Sequence, residues 1–272
     1  MTVLRDLVRE KLVEIIGLLE PGRPAALLLD HHARRLVSGG MTLSDTIWRS
    51  ELDLALVEAV EVAAERRAPD GAAYMQAVYL LSPTAASVEL LLADYEDGAE
   101  PVYGGPAHVV FTRRLPEHLL ARLKECAPLV RRARSLIEAN FDFVALQARL
   151  RAIRSRRAIR RAQFSESPPS PPQRRVFSLD APDALGALYG PSSRDDRDEA
   201  IGSLAEQLAT LCAAVGAVRP QVRYAARAHP VARAFAESLH IELAKAAAGE
   251  DEHKRGGVAS VLVLERGMDL TS

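Results

Sequence analysis

Apolar residues recur at helical spacing from the start of the chain. Val3, Leu4, Leu7, Val8, Leu12, Val13, Ile15, Ile16 and Leu19 follow it, with charges between them, until Pro21-Gly22 interrupts the run. That spacing predicts an amphipathic helix. The next run, Ala25-Ala26-Leu27-Leu28-Leu29, is unbroken and ends on Asp30. A short apolar run bounded by turn residues predicts a strand buried on both faces, as in parallel sheets. Residues 75–81, 107–112 and 141–146 repeat the pattern. Between these runs lie helical stretches. Ser82 is placed to cap a helix, Pro83 to open it, and Val88, Leu91, Leu92 and Tyr95 to form its stripe. A further helix starting near Pro116 buries Leu119, Leu120 and Leu123. Strands alternating with helices predict an α/β fold whose first domain is a parallel sheet with helices on both faces.

After residue 145 the chain changes character. Seven arginines fall between Arg149 and Arg161, followed by a Ser/Pro-rich stretch at 165–173. That stretch lacks the apolar content to build a core and is predicted to be disordered. Helical patterns follow at 183–189, 198–215 and 230–248, with Ile201, Leu204, Leu208 and Leu211 on one face of the middle one. Residues 258–264 form a last buried strand. A parallel strand needs neighbours on each side and cover on both faces, so an incomplete second α/β domain is expected. The expected division is 1–137 and 138–272, the second part holding the basic and Pro/Ser-rich stretch.

Composition narrows the function. The chain has 272 residues, 35 basic and 36 acidic side chains, and a formal net charge of −1. No overall field draws it to nucleic acid or to an anionic membrane. Cys126 and Cys212 both sit inside helical patterns, where reduced, buried thiols are expected. The amino-terminal segment carries Arg5, Asp6, Arg9, Glu10, Lys11 and Glu14, so it has no signal-like apolar core. No apolar run approaches the roughly 20 residues that a membrane-spanning helix needs.

Signatures of catalysis are missing. Asp30-His31-His32-Ala33 occupies the turn after the first strand, where a dinucleotide site places its glycines. Gly104-Gly105-Pro106 is followed by Ala107 and not by a Lys-Ser/Thr pair. There is no Gly-x-Ser-x-Gly elbow. His31-His32 reads as a surface turn or, less well, as metal ligands, because adjacent residues seldom point at one ion. His108 within a strand reads as a hydrogen-bonded core histidine or as a base. No catalytic, cofactor or metal site is predicted. The arginine block reads as a solvated insertion or as a contact for anionic lipid or RNA. An α/β enzyme with a ligand at the carboxyl ends of its strands stays open as an alternative.

Several segments carry a family resemblance. They are QAVYLLSPTAASVELLLADYEDG from Gln76, PAHVVFTR from Pro106 and LPEHLLARLKEC from Leu115. Further on come FSLDAPDALGALYG from Phe177, SLAEQLATLCA from Ser203, with Val222-Arg223-Tyr224 soon after, and LVLERGMD from Leu262. In order and spacing they resemble the SM family, the Sec/Munc-type syntaxin-binding proteins of intracellular vesicle fusion. The Phe177 segment leans towards the exocytic branch. The resemblance implies a non-enzymatic, cofactor-free regulator of vesicle docking and fusion. It would be cytoplasmic and recruited peripherally to plasma or vesicle membranes. Its partners would be a syntaxin and the assembled SNARE complex, with no nucleic acid and with membrane contact only through SNAREs. It also implies that this chain holds the first domain and the first half of the second, with a basic, Pro/Ser-rich insertion at about 150–175 and the family's third domain absent.

The resemblance further implies site residues. The closed-syntaxin contact falls on Asp30, Arg34, Arg35, Ser38 and Glu58, with Arg34 replacing the family's usual methionine and Thr42 a usual lysine. Leu56-Val57-Glu58 matches a family strand. The pocket for the syntaxin N-terminal peptide falls on Leu115, Leu120, Leu136 and Glu138, Leu120 replacing a common phenylalanine. Those leucines equally suit ordinary helix packing.

Overall fold

A computed structural model describes residues 4–40, 54–60, 71–95, 102–145, 177–217, 220–225, 230–248 and 259–264. The arginine block, the Ser/Pro stretch and Thr42 lie outside the described residues. Two compact units are present: Met1–Ala139 with Val144–Ser178, and Asn140–Phe143 with Leu179–Ser272.

Unit one is built on five parallel strands, β1 (Ala25–Leu29), β2 (Leu54–Ala59), β3 (Gln76–Leu81), β4 (Ala107–Phe111) and β5 (Ala133–Glu138), in the order β2-β1-β3-β4-β5. Every residue of β1, β3 and β4 is buried. Unbroken apolar runs therefore became the three central strands, which need cover on both faces. On one face, Leu28, Tyr79, Val109 and Phe111 pack under helices α3 (Ala85–Ala93) and α4 (Glu117–Glu125). On the other lie α1 (Leu4–Ile16) and α2 (His31–Gly40), which pack on each other while α2 reaches β1 and β3. A short helix α5 (Ala127–Arg132) leads into β5.

β5 was not legible as a strand because it is an edge. Only Arg134, Leu136 and Glu138 are exposed, alternating with half-buried Ala133, Ser135 and Ile137. An edge strand needs no continuous apolar run. Two expectations are corrected in this unit. Thr84, not Ser82, caps α3, its hydroxyl accepting from the Ser87 amide at 3.2 Å. Ser82 is still at the end of β3 and its hydroxyl donates to Asp30. The 141–146 run is not a buried strand, although Phe141 and Phe143 are buried. Asn140 turns the chain at φ 52°. Among the run's described residues only β6 (Val144–Ala145) is a strand, and it pairs antiparallel with β7 (Phe177–Ser178). The Ala145–Phe177 pair holds the two ends of the 146–176 segment side by side.

Unit two packs helices α6 (Ala184–Tyr189), α7 (Arg194–Ala214) and α8 (Pro230–Ala248) with parallel strands β8 (Gln221–Tyr224) and β9 (Ser260–Val263). α7 begins four residues before the expected 198. Ser193 and Asp196 form a reciprocal capping box, which fixes the start of the helix. Ala205, Ala209 and Cys212 meet Leu239 and Leu243 of α8 in its core. The last strand is corrected as well: β9 alternates exposed and half-buried positions and is not fully covered. Both cysteines are free and buried.

Candidate partner-binding surface

The strand order places a crevice between the carboxyl ends of β1 and β3, where doubly wound sheets bind small ligands. Here that position is filled. Asp30, 3% exposed, ends β1 and caps α2, its Oδ1 accepting from the Ala33 amide at 2.7 Å. Its Oδ2 accepts from the Ser82 amide at 2.6 Å and from the Ser82 and Ser87 hydroxyls. One carboxylate thus ties α2 to the end of β3 and the start of α3. An aspartate just before a helix start is a cap signal, and the sequence carried it.

The structure sorts the candidate residues by what they can touch. Arg34, Arg35 and Ser38 are exposed on α2, with Ala33, Leu36 and Val37 buried beneath. Asp30 is turned inward and acts on this surface by fixing α2. Glu58 is also inward, 7% exposed on β2, and its Oε2 accepts from the Tyr103 hydroxyl at 2.8 Å. His31 and His32 lie in the first turn of α2 and not in a loop.

The second group is assembled by β5 and the start of α4. Leu115 is buried, and its amide donates to Glu138 Oε1 at 2.9 Å. Leu120 is half-buried against the core, while Leu136 is 47% exposed and Glu138 is exposed beside it. Leu136 and Glu138 pair in register with Val109 and Phe111, which face the α3–α4 side. All four residues therefore share that side of the sheet. α2 covers the opposite one.

Sequence reasoning missed a buried polar cluster on the α3 side. The Tyr79 hydroxyl donates to Asp94 Oδ2 at 2.7 Å. Burial raises the Asp94 carboxyl above its ordinary range; the Tyr79 hydrogen bond opposes this and the Glu58 charge adds to it. Its place at the carboxyl end of α3 acts in the same direction, because the helix dipole disfavours an anion there. A carboxyl raised by folding favours the native state while protonated. That stability is fully present below the unfolded pKa, about 4, and is lost as pH rises through the folded value. Asp94→Asn keeps an acceptor for Tyr79 and removes the titration. Its melting temperature is expected to exceed that of the parent at pH 7, with the gain shrinking towards pH 4; a gain equal at both values contradicts this.

His108 is buried with Nδ1 2.9 Å from the Ser135 hydroxyl, and burial lowers its pKa. No group of three or more metal-ligating side chains occurs among the described residues. No helix among them is long and apolar enough to cross a membrane. Unit two carries an apolar cleft lined by residues such as Leu188, Tyr189, Ile201, Leu204, Phe235 and Leu264. It offers no titratable pair for chemistry.

Fold and surface together define a doubly wound α/β protein with a filled ligand crevice, with Arg34, Arg35 and Ser38 exposed on a helix face and Leu136 and Glu138 on an edge strand. The chain belongs to the Sec1 family, whose profile matches residues 25–272. A Dictyostelium discoideum protein named protein transport protein sec1 is 26% identical over 239 residues, which is 86% of this chain and 33% of that protein. The chain thus spans about a third of that relative's length. Among solved structures it resembles the Unc18–syntaxin 1 complex from Monosiga brevicollis. The TM-score is 0.72 at 24% identity, over 100% of this chain and 41% of that one. It also resembles the SM protein Vps45 in complex with the Qa SNARE Tlg2, with a TM-score of 0.68 at 16% identity over 96% of this chain and 39% of that one. At these identities the likeness is one of fold.

Proposed function

We propose that this chain is the syntaxin-holding part of a Sec1-family regulator of vesicle docking and fusion, and that it works by binding and not by catalysis. The family match over residues 25–272 carries the reading. The Dictyostelium relative is named for protein transport, and two structural neighbours were solved with syntaxin 1 or a Qa SNARE bound. In this reading residues 1–137 are the family's first domain and residues 138–272 the first half of its second. Its site is cytoplasmic, and SNAREs bring it to plasma or vesicle membranes.

Two surfaces divide the work. The exposed face of α2 meets a folded syntaxin, with Asp30 and Glu58 holding the scaffold from inside. Leu136, Glu138 and the edge of Leu120 take an extended N-terminal peptide, and Leu115 shapes the floor. A small pocket suffices for such a peptide, because one or two anchoring side chains supply most of the affinity. Holding one syntaxin conformation shifts its population and so its entry into a SNARE bundle. The filled crevice at Asp30 favours this reading over a small-molecule enzyme.

The test is a pull-down with exocytic syntaxins, with and without their N-terminal peptides. Binding to at least one is expected; binding to none overturns the proposal.

A further inference from the structure

Because the strands of unit one are parallel, the segments that enter them gather at one end of the sheet. At that amino end α5 joins the last turn of α4 to the start of β5. Lys124 lies in the last turn of α4, Arg131 and Arg132 close α5, and Arg134 is the second residue of β5. Lys124, Arg131 and Arg134 are exposed, and Arg132 is half-buried. Residues 126–137 contain no carboxylate, in a chain whose net charge is −1. Glu125, the nearest carboxylate in the sequence, is engaged by Arg122 at 3.8 Å. Lys124, Arg131, Arg132 and Arg134 form no ion pair among the described residues. They make a local positive field that the overall charge conceals.

Two apolar side chains stand out at the same end. Val130, 53% exposed, precedes the arginine pair on α5, and Tyr74, 75% exposed, ends the short helical turn that enters β3. The starts of β3 and β5 lie two strand spacings apart, about 10 Å. Both positions are braced from behind. Leu129 is buried next to Val130, and the Tyr74 carbonyl accepts from Arg23 Nε at 3.0 Å. A braced surface loses little conformational freedom when it docks.

We infer that the amino end of this sheet is a docking surface for an anionic lipid bilayer, a direct membrane contact in addition to any made through SNAREs. Guanidinium groups pair with headgroup phosphates through parallel hydrogen bonds. Their long stems let the charges stay at headgroup level while Val130 reaches the acyl boundary. Tyr74 has the amphipathic ring that settles at such an interface. Each basic residue near an anionic leaflet raises affinity by about fivefold, so the group gives reversible attachment and not a permanent anchor. Nucleic acid shares the phosphate chemistry but fits less well. No exposed aromatic adjoins the arginines to stack on a base, and Val130 in their midst gains nothing from a phosphate backbone.

The test is flotation of the full chain, without any SNARE, on vesicles of phosphatidylcholine alone or with roughly 30% phosphatidylserine. Binding is measured at about 50 and about 300 mM salt, where screening lengths differ roughly twofold. The parent is expected to float only with phosphatidylserine, and less at the higher salt. Arg131→Glu/Arg134→Glu is expected to weaken low-salt binding at least ~10-fold. Its melting temperature should be unchanged, because both side chains are exposed. Arg131→Lys/Arg134→Lys should retain most of the binding. Val130→Ser should weaken it about threefold at either salt, since it removes apolar contact and no charge. The effect of the double Glu change should persist when the seven arginines between Arg149 and Arg161 are replaced by glutamine. A parent chain that ignores phosphatidylserine overturns the inference. So does a double Glu variant that floats like the parent, whether or not it has lost binding to a single-stranded RNA. Binding that disappears only with the 149–161 arginines overturns it too. Syntaxin pull-downs carry no lipid, so the SNARE-docking proposal stands or falls separately.

Discussion

Replacing Asp30 by alanine is expected to destabilise unit one by about 3 kcal/mol, far more than any change on the exposed face of α2. The side chain accepts from the Ala33 amide, the Ser82 amide and the Ser82 and Ser87 hydroxyls, all in a buried setting. Alanine strips the N-cap from α2, a loss of about 1 kcal/mol. It also leaves the buried Ser82 amide without its acceptor, which costs about 1–3 kcal/mol more. The Ser87 hydroxyl keeps Thr84 and Ser82 within reach, at 2.9 and 3.1 Å, so part of the network can close on itself. Urea unfolding should show a lower midpoint at unchanged slope. Arg34→Ala should move stability by no more than about 0.5 kcal/mol. The pair separates two roles for the turn after β1. If Asp30→Ala left stability intact and removed only syntaxin binding, Asp30 would be a contact after all, and its inward placement would be the wrong guide.

Asp30 shows where sequence reading reaches and where it stops. The strand it ends was legible, because five apolar residues in a row serve a strand covered on both faces. The family resemblance then pointed to residues 30–38 as a surface. It could not say which side chains face outward, since that depends on the helical phase of α2 and on what lies beneath. With α2 starting at His31, residues 34, 35 and 38 face solvent and Asp30 is left at the buried cap. The placement of Glu58 was hidden in the same way. Its strand was recognised, but its side chain runs inward to Tyr103, a partner 45 residues later that no local pattern reveals.

Edge strands were the other blind spot. β5 exposes Arg134, Leu136 and Glu138 in alternation, and β8 exposes Gln221, Arg223 and Tyr224. Neither has the continuous apolar signature of β1, β3 and β4. β5 also brings Glu138 to the Leu115 amide. The candidate peptide site is therefore a product of sheet order. From sequence alone, Leu115 and Glu138 are 23 positions apart with a helix between them.

The second large effect concerns Gly104-Gly105, a pair that lacks the Lys-Ser/Thr of a phosphate loop. The structure puts it at the amino end of β4, away from the carboxyl edge where ligands sit in this kind of sheet. Gly105 is needed for close approach. Its amide donates to the Met75 carbonyl at 3.0 Å, and a Cβ there would stand 2.4 Å from that same oxygen and 2.8 Å from its carbon. Both are backbone atoms, so no side-chain rotation relieves the clash. Gly105→Ala must push the strap off the start of β3 and lift Tyr103 away from Glu58, two residues earlier on the same strap. An expected loss of about 3 kcal/mol follows from overpacking a filled site and weakening the buried Tyr103–Glu58 hydrogen bond. Gly202→Ala on α7 is the matched control. Nothing lies within 4 Å of its Cβ position, so alanine should add stability there, up to about 1 kcal/mol through helix propensity. Thermal unfolding of the two variants beside the parent decides the point. If Gly105→Ala melted with the parent, close approach would not explain that glycine, and the Tyr103–Glu58 hydrogen bond would need another support.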